Sequence, residues 1–460
     1  MPALRSNEPM ATRPNPTGPP ATATEAMACY AICAPGVERL AATELDHLGA
    51  RVEGQERGGI PFTADLATLY RVHLHALLLH RVVVRIATFR AGALPELFRR
   101  TRQIAWEGWL AAGSTVDVRA TSHQSRLYHT GAIAERVALA VAERLAESRG
   151  RNPPGPDLRD RDPAGHNLRG PARRDLPGGP NASAPKSDDP GPAGLPGGGE
   201  SRGNTPGGGG WAEPPPQLLL ARLDENRCTL SLDASGALLH RRGYRLATGR
   251  APLRESLACA VLALAGWRPG LPLLDPMCGA GTFAIEAARQ GLGIAPGVER
   301  SFAFQRWRTF DTVRWAELVA TAEVHRRTTL AAPIHGSDRD PRAVAAARAN
   351  AARAGVATVV TFDTGDLFNL TPTGPAGVVV LNPPYGRRIG GGDATLYRRL
   401  GDLLRDRLSG YRYAVVCPTP TLADATRLSG RRVLLTHGGQ RVVVAAGRLS
   451  PQIPDLRPFQ

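Results

Sequence analysis

Three features of the 460-residue sequence predict an α+β unit followed by an α/β unit built on an open sheet. Residues 28 to 147 alternate short strand-like and helix-like segments. From about Gly236 onward, apolar strand segments alternate with amphipathic helices, which is the pattern of a parallel sheet covered on both faces. Between these regions, Ser148 to Pro216 is dominated by Gly, Pro and charged residues, so we expect a flexible insertion there.

The first unit reads as strands and helices in an irregular order. "CYAICA" and "RVVVRIATF" are strand-like, whereas "GVERLAATELDHLG" has the spacing of an amphipathic helix. "DLATLYRVHLHALLLH" also has helical periodicity, with Asp65 as its N-cap. The histidines in this stretch, at 73, 75 and 80, are therefore expected to pack or to face solvent rather than to bind metal. "LLLARLDENRCTLSLDAS" predicts two further strands that close the unit.

Composition limits the classes of partner. Lys and Arg number 57 against 41 Asp and Glu, giving a formal charge of +16 and a pI of about 10.6. This excess favours a polyanionic partner, although an arginine-rich genome would produce it as well. The six cysteines form no CxxC pair, so neither a zinc site nor a disulfide framework is indicated. These scattered cysteines fit a reducing cytoplasm, and neither a signal peptide nor an apolar run of about 18 residues is visible.

The second unit supplies the strand ends at which ligands bind in doubly wound sheets. Its strand segments are "PLLDPMC", "PIHGSDRD", "TFDTGDLF", "GVVVLNPPY" and "YRYAVVCPTP", each separated from the next by a helix or loop. The last segment, "RRVLLTHGGQRVVVAAG", reads as a hairpin around Gly438 and Gly439. It predicts an antiparallel pair at the edge of the sheet.

The first strand end is a glycine-rich turn. Gly279 and Gly281 lie between a strand and a helix, where a side chain would obstruct a ligand that approaches the backbone. The helix N-terminus favours an anionic group such as a carboxylate. The turn matches neither the GxGxxG fingerprint nor a Walker loop, and a turn made only for packing explains it equally well at this point.

Acidic residues follow the next two strands. Asp338 closes its strand, where a carboxylate can bond ribose hydroxyls, and Asp366 closes the third, where it can accept a bond from an adenine amine. Asp340 precedes Pro341 and reads as a helix N-cap. Together with the glycine-rich turn, these strand ends indicate a site for a nucleoside that carries a carboxylate.

This combination resembles the class I S-adenosylmethionine-dependent methyltransferases. The resemblance implies that the fourth strand end, Asn382-Pro383-Pro384-Tyr385, methylates a planar nitrogen. The Asn382 amide oxygen and the Pro383 carbonyl would accept the two amine hydrogens, and Tyr385 would stack on the ring. By the same resemblance the cofactor is S-adenosyl-L-methionine, and its binding residues are Asp275, Pro276, Cys278, Gly279, Gly281, Thr282, Asp338 and Asp366.

The NPPY motif alone leaves adenine N6, cytosine N4, guanine N2 and glutamine N5 open as targets. The flanking stretches "SLDASGALLHRRGYR", "DPMCGAGTFAIEAA" and "GSDRDPRAVAAARANAARAGV" resemble the bacterial 23S rRNA guanine-N2 methyltransferases. The N-terminal half, from "CYAICAPGVERLAATEL" to "SRLYHT", is similar to the ferredoxin-like segment and RNA-binding THUMP domain of that family. Its members therefore suggest RNA, and 23S rRNA or a large-subunit precursor in particular, as the partner.

The resemblance implies a Rossmann-like seven-stranded methyltransferase domain preceded by an α+β ferredoxin-like/THUMP RNA-binding unit. We expect RNA contacts from the basic stretch before the catalytic domain and from the loop after the NPPY motif. The expected residues are His240, Arg241, Arg242, Arg245 and Arg388, and a solvated basic segment would explain any single one of the first four as well. The expected domains are a disordered leader (1–27), a ferredoxin-like segment (28–93), a THUMP domain (94–234, insertion at about 148–216), a methyltransferase domain (235–450) and a tail (451–460).

The expected activity is methylation of guanine N2 in 23S rRNA. A tRNA guanine-N2 or other base-amine methyltransferase is the nearest alternative. An RNA-binding assembly factor with an inactive cofactor site is the alternative from a different class, and intact Asp275, Asp338 and Asn382 weigh against it. Neither a metal ion nor an obligate protein partner is expected.

Overall fold

The computed structural model describes residues 24–149, 215–246, 253–372, 374–384, 394–437 and 439–450. Nearly all of the predicted leader, insertion and tail therefore lies outside the described residues. The described residues up to Ala146 and from Pro215 onward belong to one compact unit. Of the other unit, Glu147–Pro214, only the last turn of one helix is described. Within these described ranges no helix has the length and apolarity needed to cross a membrane.

The first seven strands form one sheet. In the first of them the side chains of Cys29, Ala31 and Cys33 are buried and their neighbours are half-exposed, which is the two-residue period of a strand with one covered face. The strands are β1 (Met27–Cys33), β2 (Arg51–Val52), β3 (Gly59–Ala64), β4 (Leu79–Arg90), β5 (Val116–His123), β6 (Gln217–Asp224) and β7 (Arg227–Asp233). Their spatial order is β2-β3-β1-β4-β7-β6-β5, antiparallel except for the β5–β6 pair.

The helices of this half begin largely where the sequence predicts them. Asp65 caps the second helix by accepting from the Thr68 amide at 2.8 Å, as expected. That helix is shorter than predicted, because it ends at His75 and His80 already lies in β4. The half-buried Glu44 carboxylate accepts from the Leu77 and Leu78 amides, so this stretch has hydrogen-bond partners outside a helix. The helices are α1 (Glu38–His47), α2 (Leu66–His75), α3 (Leu94–Arg102) and α4 (Thr130–Arg149).

The second sheet has the predicted open α/β form, with the predicted antiparallel hairpin at its edge. Its strands are β8 (Leu273–Asp275), β9 (Ile334–Asp338), β10 (Val360–Thr364), β11 (Val378–Leu381), β12 (Arg412–Cys417), β13 (Arg431–His437) and β14 (Gln440–Arg448). Their order is β10-β9-β8-β11-β12-β14-β13, and the first five run parallel. The helices between them are α5 (Glu255–Ala265), α6 (Thr282–Gly291), α7 (Thr312–Val324), α8 (Pro341–Arg353), α9 (Ala394–Arg407) and α10 (Pro420–Ala425).

Aromatic side chains hold the two sheets together. Tyr70 of α2 stacks on Phe304 with ring centroids 4.8 Å apart, and its hydroxyl accepts from the Asp311 amide at 2.9 Å. Trp109 meets Trp307 edge to face at 5.4 Å, so this pair also packs across the two halves. The N-terminal half is thus fixed against the half that carries the strand ends described next.

Candidate functional site

The predicted strand ends lie side by side. Asp275 at the end of β8 is in register with Gly336 of β9, and Asp338 at the end of β9 is in register with Thr364 of β10. On the other side of β8, β11 runs parallel and ends one residue before Asn382. We call this edge of the sheet, where β8 to β11 end, the carboxyl edge. The sequence therefore brings its candidate residues to one place, as expected for a doubly wound sheet.

The glycine-rich turn has a packed side and an open side. Gly281 has φ +82°, and a Cβ there would lie 2.9 Å from Cζ of Phe362 and 3.0 Å from Cβ of Ala347. Gly279 has φ +52°, but a Cβ there would meet no atom within 4 Å. Packing therefore explains the glycine at 281, whereas the open space beside Gly279 leaves its backbone accessible to a ligand. The two glycines of the turn meet two different constraints.

The helix behind this turn begins without a side-chain cap. Gly281 is the N-cap of α6, and Thr282 is its first residue, buried like Pro276 and Cys278 at the base of the turn. Because glycine has no side-chain acceptor, the first amides of α6 have no side-chain cap and favour an anion. A carboxylate is the anionic group that the amino-acid end of S-adenosylmethionine offers.

Asp275 is a buried carboxylate that pairs with no basic side chain among the described residues. It is 1% exposed, and neither oxygen has a hydrogen-bond partner among the described residues. Burial, assisted by the nearby charge of Asp338, raises the pKa of Asp275 well above its ordinary value. The backbone amide of the neighbouring Met277 partly offsets this rise in pKa. A cationic ligand group would relieve the cost of burial, so the residue fits the ammonium of the cofactor's amino-acid end.

The two other predicted acids have structural partners. Asp338 accepts from the Gly279 amide and from the Asp340 amide, each at 3.0 Å, and so fixes the glycine-rich turn. Asp366 is exposed and caps a short 3-10 turn by accepting from the Phe368 amide at 2.8 Å. Since a carboxylate oxygen can accept more than one bond, the ribose and adenine roles remain predictions. Asp340 caps α8 with Pro341 as the first helical residue, as expected.

Asn382 follows β11 at the carboxyl edge. Its amide oxygen is buried and has no hydrogen-bond partner among the residues that the structure describes. Pro383 is buried and Pro384 is exposed. An unpartnered buried amide oxygen costs folding free energy unless a ligand donates a hydrogen bond to it. The position of this oxygen therefore fits an acceptor for a hydrogen of the target amine. Tyr385 and Arg388 lie outside the described residues, so their predicted roles stay predictions.

The basic stretch before α5 is less exposed than its predicted RNA contacts require. Arg242 is buried, and its guanidinium donates to the Leu239 and Leu77 carbonyls at 2.6 and 2.8 Å. Arg245 is half-buried and pairs with Glu255 at 3.4 Å. These two side chains therefore join elements of the protein, and contact with RNA phosphate is not open to Arg242 in this conformation.

The other two predicted contacts differ in exposure. His240 is 6% exposed, and its Nδ1 has no partner in the described part of the chain. Arg241 is exposed, and its side chain has no ion pair within the described ranges. Of the four described candidates, Arg241 is the exposed one, and His240 has a ring nitrogen without a partner in the described part of the chain.

Two residues that support the glycine-rich turn escape prediction from the sequence. Asn350 of α8 is 0% exposed, and its amide nitrogen donates to the Ala280 carbonyl at 3.0 Å. Arg353 donates to the Asn350 amide oxygen and, at 2.8 Å, to the Tyr244 carbonyl. In the sequence both belong to an ordinary amphipathic helix. The one available signal is a polar Asn350 at a helix position that faces the core.

A further unpredicted residue is Glu286 in α6. It is 2% exposed and accepts from the Tyr244 hydroxyl at 2.8 Å and from the Cys259 thiol at 3.2 Å. The Arg242 guanidinium lies 3.9 Å from the same carboxylate. Glu286 thus ties the segment before α5 to the helix that begins at the glycine-rich turn.

Comparison with known protein sequences gives a consistent set of relatives. Residues 242–437 match the RMKL-like methyltransferase domain family, and residues 28–83 match the RlmL ferredoxin-like domain. A Synechocystis sp. protein named as a putative RNA methyltransferase is 34% identical over 89% of this chain and 94% of its own. The ribosomal RNA large subunit methyltransferase K/L of Chromohalobacter salexigens is 31% identical over 89% of this chain. This chain spans 50% of the length of that K/L protein.

Solved structures show the same fold over nearly the whole chain. A possible methylase from Clostridium difficile has a TM-score of 0.74 at 26% identity and covers 94% of this chain and 100% of its own. SMU.472, a putative methyltransferase complexed with S-adenosylhomocysteine, also has a TM-score of 0.74, at 24% identity, over 92% of this chain and 98% of its own. The predicted combination of an α/β methyltransferase fold with a ferredoxin-like N-terminal segment is confirmed.

Proposed function

The chain belongs to the RMKL-like family of S-adenosylmethionine-dependent RNA methyltransferases, and we propose that it methylates the N2 amine of guanine in 23S rRNA. The observation that carries the proposal is the buried, unpartnered amide oxygen of Asn382 at the carboxyl edge. An exocyclic base amine presents two hydrogens in one plane, and an amide oxygen is a suitable acceptor for one of them. The Pro383 carbonyl is assigned to the other.

The chemistry of the site follows from the weakness of the nucleophile. The lone pair of a base amine is delocalised into the ring, so the amine reacts only when it is aligned with an activated methyl group. The sulfonium of bound S-adenosylmethionine supplies that methyl. Asn382 and Pro383 orient the amine and stabilise the positive charge that develops on its nitrogen. The proton leaves only after the nitrogen has become acidic, so no strong general base is needed.

The cofactor residues are proposed from the same geometry. Asp275 would neutralise the ammonium, and the amides at the start of α6 would meet the carboxylate. The open side of the turn at Gly279 leaves room for the backbone to touch the ligand. Asp338 and Asp366 are proposed to accept hydrogen bonds from the ribose and the adenine.

The choice of RNA rests on the N-terminal half and on the relatives. A net charge of +16 favours a polyanion, and the K/L relatives carry large-subunit ribosomal RNA in their name. We assign residues 28–93 to a ferredoxin-like segment and residues 94–234 to a THUMP domain that binds this RNA. A tRNA guanine-N2 methyltransferase is the second candidate, since the same amine is the target.

Replacement of the amine-holding amide tests the assignment. Asn382→Ala should reduce methyl transfer by about a thousandfold, comparable to the loss of one transition-state hydrogen-bonding group. Affinity for S-adenosylhomocysteine should stay within about twofold, since Asn382 is assigned to the base rather than to the cofactor. Asn369→Ala, which alters an exposed asparagine beyond β10, is the matched control. Activity of Asn382→Ala within a few-fold of the wild type would refute the amine-holding role.

A panel of acceptors tests the substrate class. Labelled S-adenosylmethionine is offered with unmodified 23S rRNA, with 16S rRNA, with tRNA and with release factor, and incorporation is counted for each. The proposal predicts incorporation into 23S rRNA above the other acceptors. Incorporation into tRNA alone would establish the second candidate, and cofactor binding without incorporation into any acceptor would point to an assembly factor.

A further inference from the structure

Four basic side chains lie on neighbouring segments where the N-terminal half meets the catalytic half. His80 lies at the start of β4, His240 and Arg241 lie in the segment after β7, and Arg254 immediately precedes α5. The imidazole rings of His80 and His240 are 5.3 Å apart, and the Leu239 amide donates to the His80 carbonyl at 2.8 Å. We call these four residues the basic cluster.

The acidic residues around the basic cluster are already engaged. Glu255 pairs with Arg245 at 3.4 Å. Glu286 accepts hydrogen bonds from Tyr244 and Cys259 and lies beside Arg242. Glu44 accepts from two backbone amides of the α2–β4 connection. Within the described ranges, none of the four basic cluster side chains has an ion pair with a carboxylate.

The cluster is also partly removed from water. His240 is 6% exposed and its Nδ1 lacks a partner among the described residues, while Arg254 is half-buried. Burial and the Arg254 charge lower the pKa of His80 to about 4, and burial and neighbouring basic groups lower the pKa of His240 to about 2. Burial, followed by the charge of Arg241, lowers the pKa of Arg254. This is a region of positive potential in which an anion would be favoured.

The position of the cluster connects it to the methyl-transfer site. The C-terminal end of α5 touches the start of β12, because a Cβ on Gly266 would lie 2.5 Å from the Arg412 guanidinium. The opposite end of this 11-residue helix, at Arg254, lies about 16 Å away. Cys259 near that end donates to Glu286 of α6, the helix that begins at the glycine-rich turn of the carboxyl edge. That edge holds Asp275 and Asn382. An anion at the cluster would lie on the ligand-binding side of the sheet and touch both halves of the protein.

We propose that His80, His240, Arg241 and Arg254 form a binding site for a phosphate group of the RNA backbone. This inference rests on the proposed RNA substrate and specifies which surface holds it. Arg241 and Arg254 supply the charge, and the neutral imidazoles supply hydrogen-bond donors. Arg242 and Arg245, which are their neighbours in the sequence, instead hold the surrounding segments in place. A phosphate bound at this junction would fix the distance between the part of the RNA that the N-terminal half binds and the base that lies at Asn382.

The experiment compares two arginines at opposite ends of α5. Arg254→Gln removes a charge from the cluster, and Arg268→Gln removes one from an exposed arginine just beyond the other end. Binding of full-length protein to unmodified 23S rRNA transcript is measured by filter retention between about 50 and 200 mM KCl. Arg254→Gln should weaken binding several-fold and reduce the slope of log affinity against log salt by about 0.7–0.9. Arg268→Gln should match the wild type, and Arg254→Lys should restore most of the slope.

Further measurements distinguish an RNA phosphate site from a free-anion site and from a purely structural arginine. Affinity for S-adenosylhomocysteine should be the same in all variants, and the rise in KM for RNA should exceed any fall in kcat. Equal slopes for Arg254→Gln and Arg268→Gln would overturn the proposal. A second outcome would also overturn it: inorganic phosphate stabilises the wild type but not Arg254→Gln against heat, while the two proteins bind RNA equally. The site would then hold a free anion rather than an RNA phosphate. RNA binding can be measured whichever base is methylated. Failure of the guanine-N2 assignment would therefore leave the difference in RNA binding between Arg254→Gln and Arg268→Gln unchanged. If Arg254→Gln does not fold, Arg241→Gln carries the same test.

Discussion

A matched pair of alanine substitutions separates the two functions of the glycine-rich turn. Both Gly279 and Gly281 have positive φ, so alanine costs about 1–2 kcal/mol of folding free energy at either position. The smaller conformational freedom of unfolded alanine returns about 0.4–1 kcal/mol. At Gly281 the new Cβ also meets Phe362 and Ala347 at 2.9 and 3.0 Å, which adds about 1–3 kcal/mol of overpacking. We therefore expect a loss of about 1 kcal/mol for Gly279→Ala and about 2–4 kcal/mol for Gly281→Ala.

Cofactor affinity should respond differently from stability. The Gly279 methyl would enter the space that the turn leaves open, so Gly279→Ala should weaken S-adenosylhomocysteine binding at least about tenfold, equal to about 1.4 kcal/mol. Urea unfolding measures the first quantity, and calorimetric titration of the folded variants measures the second. Gly270→Ala is a useful control, since Gly270 also has positive φ and open space beside it but precedes β8, outside the glycine-rich turn. If Gly279→Ala binds the cofactor like the wild type, the turn has only a packing role and its assignment to the cofactor is wrong.

Two further predictions concern groups that touch this turn. Asn350→Ala should leave the Ala280 carbonyl unsatisfied and lower the free energy of unfolding by about 1–3 kcal/mol, and urea unfolding checks it; unchanged stability would show that the turn needs no support from α8. The raised pKa of Asp275 predicts that affinity for the cationic cofactor increases as the pH rises through that raised pKa, since binding favours the carboxylate and releases a proton. In the free protein the same raised pKa makes Asp275 reduce the free energy of unfolding progressively as pH rises above 3.8. Asp275→Asn should bind the cofactor weakly and without this pH dependence, and a pH dependence as steep as that of the wild type would assign it to another group.

Much of the fold follows from local pattern. Regular alternation from β8 to β12 predicts a parallel sheet, and Gly438-Gly439 predicts the terminal hairpin that β13 and β14 form. The predicted end of α2 is wrong, because "HALLLH" continues the helical period while Glu44, far away in the chain, supplies partners to the amides of Leu77 and Leu78. A local pattern contains no information about such a long-range partner.

The candidate site divides in the same way. Asp275, Gly279 and Asn382 can be identified because strand ends in a doubly wound sheet converge, whatever the details of packing. The burial of His240 and Arg242 cannot be predicted, because it depends on contacts with Leu77 and His80 from the other half. Asn350 escapes prediction for a related reason, since its role depends on which face of α8 meets the turn.

Identification of the methylated nucleoside is the decisive measurement for the proposed reaction. Full-length protein is incubated with isotopically labelled S-adenosylmethionine and unmodified 23S rRNA, the RNA is digested to nucleosides, and the labelled product is identified by mass spectrometry. We predict a single labelled nucleoside, N2-methylguanosine, that disappears when Asn382→Ala replaces the wild type. Labelled N6-methyladenosine or N4-methylcytidine would contradict the proposed reaction. So would labelled N2-methylguanosine that Asn382→Ala still produces at the wild-type level.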